Sequence, residues 1–150
     1  MGGQYRDPAE LNMPKSACFS AYSVEELDES VRASGISPTL GIVFSSPAIG
    51  IPELAKASAS WGFPVFGCST AGEILKRENG SPILEQSVVC CLTDLDLSLF
   101  EVAIFEKTTE SSLDFGRKIG NWGIKVFESP AFIIGISGLK NDGEAIVKGI

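Results

Sequence analysis

Hydrophobic positions in this 150-residue chain fall into short runs separated by polar, Gly- and Pro-containing stretches. Residues 1–15 hold Gly2, Gly3, Pro8 and Pro14 with few apolar groups, and are expected to form a flexible N-terminal arm. Ser16 to Tyr22 alternates small and apolar side chains, as a first strand would. Ser23 followed by Glu26 forms a capping box. It predicts a helix with Val24, Leu27 and Val31 on one face, stopped near Gly35 and Pro38. Thr39 to Ser45 is a continuous apolar run bounded by turn residues, which suits a strand covered on both faces in a parallel sheet. Pro52 sits where the first turn of a second helix tolerates it. That helix, to about Trp61, is rich in Ala and Ser and should pack closely on a sheet. Phe63 to Thr70 is the next strand and its exit.

Residues 76–86 contain Asn79-Gly80 and Pro82 and read as a loop or irregular hairpin. Ser87 to Leu92 and Leu97 to Phe105 read as two paired strands joined at Asp94 to Asp96, the second with a bulge near Leu99. Ser111 and Asp114 open a third helix with Phe115, Ile119, Trp122 and Val126 on one face. Ala131 to Ser137 reads as a further buried strand, and Asn141 to Ile150 as a helix. The expected fold class is therefore α/β: a layered mixed sheet with helices, mostly parallel strands plus one antiparallel pair. Leu40 to Lys56 and Phe132 to Lys148 share a strand–loop–helix plan. The second copy lacks a following strand, so residues 16–150 are expected to form a domain incomplete at its C-terminus.

Composition narrows the chemistry. The net charge is -7, against the basic face a nucleic-acid module needs. There is no histidine, which removes Ser-His and Cys-His catalysis and His-ligated zinc or haem. The four cysteines, Cys18, Cys68, Cys90 and Cys91, form no C-x-x-C pair and are expected to be reduced, mostly buried thiols of a cytoplasmic protein. No signal-peptide run opens the chain. The uncharged stretch Ala33 to Pro52 is broken by Pro38 and Pro47, so no membrane association is expected.

One stretch stands apart: Gly67-Cys68-Ser69-Thr70-Ala71-Gly72-Glu73-Ile74, at the end of an apolar strand. Such an exit can present backbone N–H groups and two hydroxyls to a small anion, and crevices at strand carboxyl ends are where open α/β sheets bind ligands. A tight exit whose hydroxyls cap the backbone has the same spacing. Glu73 reads either as a partner for a ligand ammonium or as a solvated acid.

GCSTAGEI after an apolar strand resembles the signature of the FIST family, sensory domains named for F-box and intracellular signal transduction proteins. Gly41 to Pro47, Ser87 to Val89 and the Ser137-Gly138 exit support the resemblance, which extends over residues 16–150. It implies an amino-terminal FIST domain that binds a small ligand, amino acids or other small carboxylates. The signal would be carried by a C-terminal FIST domain or output module not present in this chain. The expected ligand-binding residues are Ser45, Ser46, Cys68, Ser69, Thr70, Ala71, Gly72, Glu73, Ser137 and Gly138. No cofactor is expected; haem, associated with some members, would have to rest on Cys, Met or Tyr here.

Two other classes compete. Gly67 to Ala71 resembles a relaxed G-x-S-x-G elbow, which would make Ser69 or Cys68 a hydrolase nucleophile, but no motif supplies a base. Gly135 to Asn141 lacks Walker spacing, and Asp142 and Glu144 fit the start of a helix. A protein-interaction scaffold is the third class, without an F-box-like segment to support it.

Overall fold

The computed structural model describes residues 13–75, 83–137 and 141–150. Most of the expected arm, residues 76–82 of the expected loop, and Gly138 lie outside the described residues. The chain divides into two units, Met1–Phe100 and Glu101–Ile150.

In the first unit, β1 (Ser16–Ala21) leads into α1 (Val24–Arg32) through the capping box. Ser23 Oγ accepts from the Glu26 N–H at 3.1 Å, while a Glu26 carboxylate oxygen accepts from the Tyr22 N–H at 2.7 Å. Leu27 and Val31 are buried, as their spacing requires, and Gly35 follows at φ +72°, a left-handed turn that β-carbon sterics disfavour. β2 (Leu40–Ser45), a 3-10 turn at Pro47–Ile49, α2 (Ile51–Ser58) and β3 (Val65–Ser69) form a β–α–β unit. The two-residue strands β4 (Glu73–Ile74) and β5 (Ile83–Leu84) pair antiparallel, the ends of the anticipated hairpin. β6 (Val88–Thr93) completes a sheet of order β1-β6-β2-β3.

Two expectations change here. The sheet is not mostly parallel: β2–β3 is its parallel pair, and β6 runs antiparallel to both β1 and β2. An apolar run does not report direction, and in β2 it does not report burial on both faces either, since Gly41, Val43 and Ser45 are buried while Phe44 is exposed; β6 inserts between β1 and β2 with reversed polarity. Nor is Leu97 to Phe105 a strand paired with β6. The Asp96 carboxylate accepts from the Ser98 N–H at 2.8 Å and turns Leu97–Leu99 into a 3-10 helix. Both edges of β6 are already bonded to β1 and β2, so no edge remains for a hairpin partner.

α1 and α2 lie on one face of this sheet. The core there comprises Ala21, Leu27, Val31, Val43, Leu54, Val88, Cys90 and Leu92. Each fully buried aliphatic contributes about 1.5–3 kcal/mol. Trp61 Nε1 donates to Asp28 Oδ1 at 2.9 Å, tying the exit of α2 to α1.

In the second unit, α3 (Ser112–Val126) and α4 (Gly143–Gly149) pack through glycines. A Cβ on Gly116 would lie 2.1 Å from the Ile146 carbonyl oxygen, and one on Gly149 would lie 2.3 Å from that of Leu113. Phe115, Ile119 and Ile146 form the core, with Phe105, Phe132 and Ile136 against it. Val126, expected on the buried face, is 42 % exposed because the glycine side of α3 is the one that packs. Ala131 to Ser137 is likewise not a strand. Its burial alternates along the segment, but a strand needs a ladder partner, and no described segment pairs with it.

Candidate functional site

The site begins with register. Parallel pairing of β2 and β3 sets Phe44 opposite Cys68 and Ser45 opposite Ser69, so both strands end side by side. The Thr70 N–H donates to the Ser45 carbonyl at 2.9 Å, extending the pairing one residue into the loop. The chain leaves β2 through the Ser46-capped turn and enters α2 at Gly50, whose φ of +76° places it in the left-handed region. α2 therefore starts at the carboxyl ends of the strands and runs back along the sheet.

Between α2 and these strands lies a cleft of about 200 Å³. Val43, Ile51, Leu54, Ala55 and Val65 give it apolar walls, and Ser45, Ser58 and Ser69 add hydroxyls. Gly67 forms part of the wall because nothing larger fits: a Cβ there would lie 2.2 Å from the Val43 carbonyl oxygen. No charged side chain lines the space. Ser58 Oγ donates to the Ala55 carbonyl at 3.0 Å, and Ser45 Oγ to that of Ser46 at 3.1 Å. Each hydroxyl oxygen still has acceptor capacity. The N-terminus of α2, beside Ile51, has no side-chain cap. Its first turn includes Pro52, which has no N–H, and Glu53, whose carboxylate lies against Gly50, so this helix end already carries its own acid.

Beside the cleft runs a polar seam built on a buried carboxylate. Glu73 is 2 % exposed and accepts from Thr70 Oγ1 at 2.6 Å and from Ser87 Oγ at 2.9 Å. Ser87, itself fully buried, also receives the Ser46 N–H on its carbonyl at 2.8 Å. These bonds join the exits of β2 and β3 to the start of β6. A buried acid without such donors would cost several kcal/mol, so the two hydroxyls are what make its burial possible.

Of the residues expected from sequence, Ser45, Cys68 and Ser69 line the cleft. Ser46, Thr70 and Glu73 build the seam, so Glu73 is engaged by hydroxyls rather than solvated. Ala71 and Gly72 are exposed at the turn between them. Ser137 is exposed and belongs to the second unit, and Gly138 lies outside the described residues. Sequence reasoning missed the α2 wall (Ile51, Leu54, Ala55 and Ser58) and Ser87. The Ala- and Ser-rich composition of α2 was the available signal for the wall; Ser87 had none, because its partner Glu73 is fourteen residues away.

The cysteines divide by burial. Cys90 is buried, Cys91 partly so, and Cys18 and Cys68 are exposed, so the expectation of mostly buried thiols is corrected. Strand alternation is the reason: Cys90 faces the helices, and its neighbour takes the opposite face. Burial pushes Cys90 up to about 12, and burial with the Cys18 contact pushes Cys91 up to about 11.

Among the described residues, no helix is long and apolar enough to cross a membrane, and no group of three or more Cys, Asp or Glu side chains is arranged to hold a metal ion. Neither curated proteins nor solved structures give a match to the chain. A family model described as FIST N domain matches residues 39–150. The match starts at Thr39, so β1 and α1, which the resemblance took in, lie outside it. Because it covers well over half of the chain and contains β2, β3, β6 and the whole GCSTAGEI exit, the chain belongs to the FIST N family of signal-transduction sensory domains.

Proposed function

We propose that this domain senses a small carboxylate-bearing molecule, with amino acids as the first candidates, in the cleft between α2 and the ends of β2 and β3. The observation that carries the reading is the cleft itself: apolar walls and three serines, one of them the exposed Ser69, around about 200 Å³. That volume is below the ~300–1,000 Å³ of drug-sized sites, which matches a small metabolite. The apolar walls take the ligand's side chain. The Ser69 hydroxyl and exposed loop amides at Ala71 and Gly72 receive its carboxylate. Glu73 and Thr70 hold that loop in place, and Ser46 fixes the turn into α2. Binding biases an output carried by a C-terminal FIST domain or signalling module, in the cytoplasm.

The hydrolase reading needs a base beside Ser69 or Cys68. Among the described residues, no hydrogen bond joins either side chain to one.

A thermal-shift screen of the protein against amino acids and small carboxylates tests the proposal. A ligand at about a hundred times its Kd adds about 2.7 kcal/mol, or roughly 5–10 °C in a chain of this size. Ser69→Ala should weaken the response. No shift with any compound, on protein shown to be folded, overturns the reading. Ester hydrolysis abolished by Ser69→Ala would favour the hydrolase instead.

A further inference from the structure

On the sheet face opposite α1 and α2, Cys18 of β1 stands directly across from Cys91 of β6, with their sulfurs 2.8 Å apart. Antiparallel ladders alternate between hydrogen-bonded and non-hydrogen-bonded pairs, and two independent bonds fix the phase here. The Asp94 N–H donates to the Lys15 carbonyl, making that pair hydrogen-bonded and Cys18–Cys91, three residues along, non-hydrogen-bonded. On the other edge of β6, the Ser46 N–H donates to the Ser87 carbonyl, which turns the backbone of Cys91 toward Ile42 and away from Cys18. Non-hydrogen-bonded pairs bring Cα atoms to about 4.5 Å, inside the roughly 4.4–6.8 Å range that a disulfide spans.

Neither other cysteine competes. Cys90 points into the core on the opposite face. Cys68 lies on β3, two strands from β6 and three from β1, or about 10 and 14 Å away at ~4.8 Å per strand. Both distances exceed disulfide reach.

We propose that Cys18 and Cys91 are a reversible oxidation site, closed by hydroperoxides into a cross-strand disulfide that pins edge strand β1 to the sheet. The exposed Cys18 sulfur takes one oxygen from the hydroperoxide, which leaves as the alcohol or, from hydrogen peroxide, as water. The Cys91 sulfur then attacks the Cys18 sulfenic acid. The S–S bond forms as the S–O bond breaks, and the Cys91 thiol proton leaves with the hydroxide as water. Burial pushes Cys91 up to about 11, which makes it the slower nucleophile, so the exposed Cys18 meets the oxidant first and Cys91 closes the bond by proximity. Cys18 precedes the family match and Cys91 lies within it, so the bond would fasten a strand outside the family region to the family's sheet.

The test treats the full chain with hydrogen peroxide, alkylates remaining thiols under denaturing conditions, and maps the peptides by mass spectrometry. The expected product has lost about 2 Da, carries two alkyl groups instead of four, and yields a Cys18–Cys91 linked peptide that a dithiol reductant separates. The link should persist in Cys68→Ser and be absent in Cys18→Ser, an exposed change that leaves the core intact. Recovery of Cys18 and Cys91 as free thiols, as sulfinic or sulfonic acids, or in links to other cysteines would overturn the proposal.

Discussion

At Glu73 a single carboxyl group is the junction between three chain segments, and the energetics are those of a buried polar group held by hydrogen bonds. Ser87→Ala removes one of its two hydroxyl donors and leaves a buried oxygen unpaired. The expected cost is about 1–3 kcal/mol, read as a lower urea midpoint at unchanged slope. Sequence left Glu73 as either a partner for a ligand ammonium or a solvated acid, and its inward direction was not legible. Facing a hydroxyl or facing solvent depends on where β6 begins, and that is set by pairing between distant segments. The cysteines teach the same point with a different measurement. In the folded protein, Cys68 should react readily with an alkylating reagent, while Cys90 should react only on unfolding, because burial both hides it and pushes it up to about 12. Mass spectrometry of briefly alkylated protein checks this.

At the scale of elements, glycine contacts decide packing. In α3, replacing Gly116 by alanine should gain about 1 kcal/mol of helix propensity. The new Cβ, however, would meet the Ile146 carbonyl at 2.1 Å, a backbone atom that no rotamer change can move. Overpacking wins, and Gly116→Ala should destabilise by about 1–3 kcal/mol net. The start of α3 also carries a pH signature. The Thr108 hydroxyl holds Glu110 down at about 2, and the Ser111 hydroxyl, then Arg117, hold Asp114 below the usual carboxylate range. Folded values below the unfolded ones mean that these groups favour the fold above the ordinary carboxylate range. That contribution fades as pH falls from about 4.5 toward about 2. Carboxyl NMR titration should find Glu110 shifted low, with the first turn of α3 fraying across that window. The capping residues Ser23 and Ser111 were readable, since a cap is a contact between residues three apart, while Asp142, expected only near a helix start, proves to be the cap of α4. The strand expected at 131–137 was misread because alternating burial occurs without a ladder, and that at 97–105 because its apolar residues Leu97, Leu99 and Ile104 are exposed and none of it pairs with β6.

Over the whole molecule, two cores, one in each unit, set the expected pattern of stability. Hydrogen exchange should show separate protection blocks for the sheet strands β2 and β6 and for α3 with α4. Gly116→Ala should lower protection in the second block alone. A uniform fall in both would mean that the chain opens as one cooperative unit. Ligand binding in the cleft should raise protection first in β3 and α2, which build it.

By itself, the sequence determined the local features: helix starts and most of their buried faces, the apolar runs, the absence of histidine and the GCSTAGEI exit that marks the family. Each depends on neighbours within a few residues, where propensity, capping and periodicity act. Tertiary structure alone decided the direction of β6, the α2 wall of the cleft, the inward turn of Glu73 and the meeting of Cys18 with Cys91. Those depend on which strand edge is free and which register satisfies its backbone bonds, and segments far apart in the chain settle that jointly.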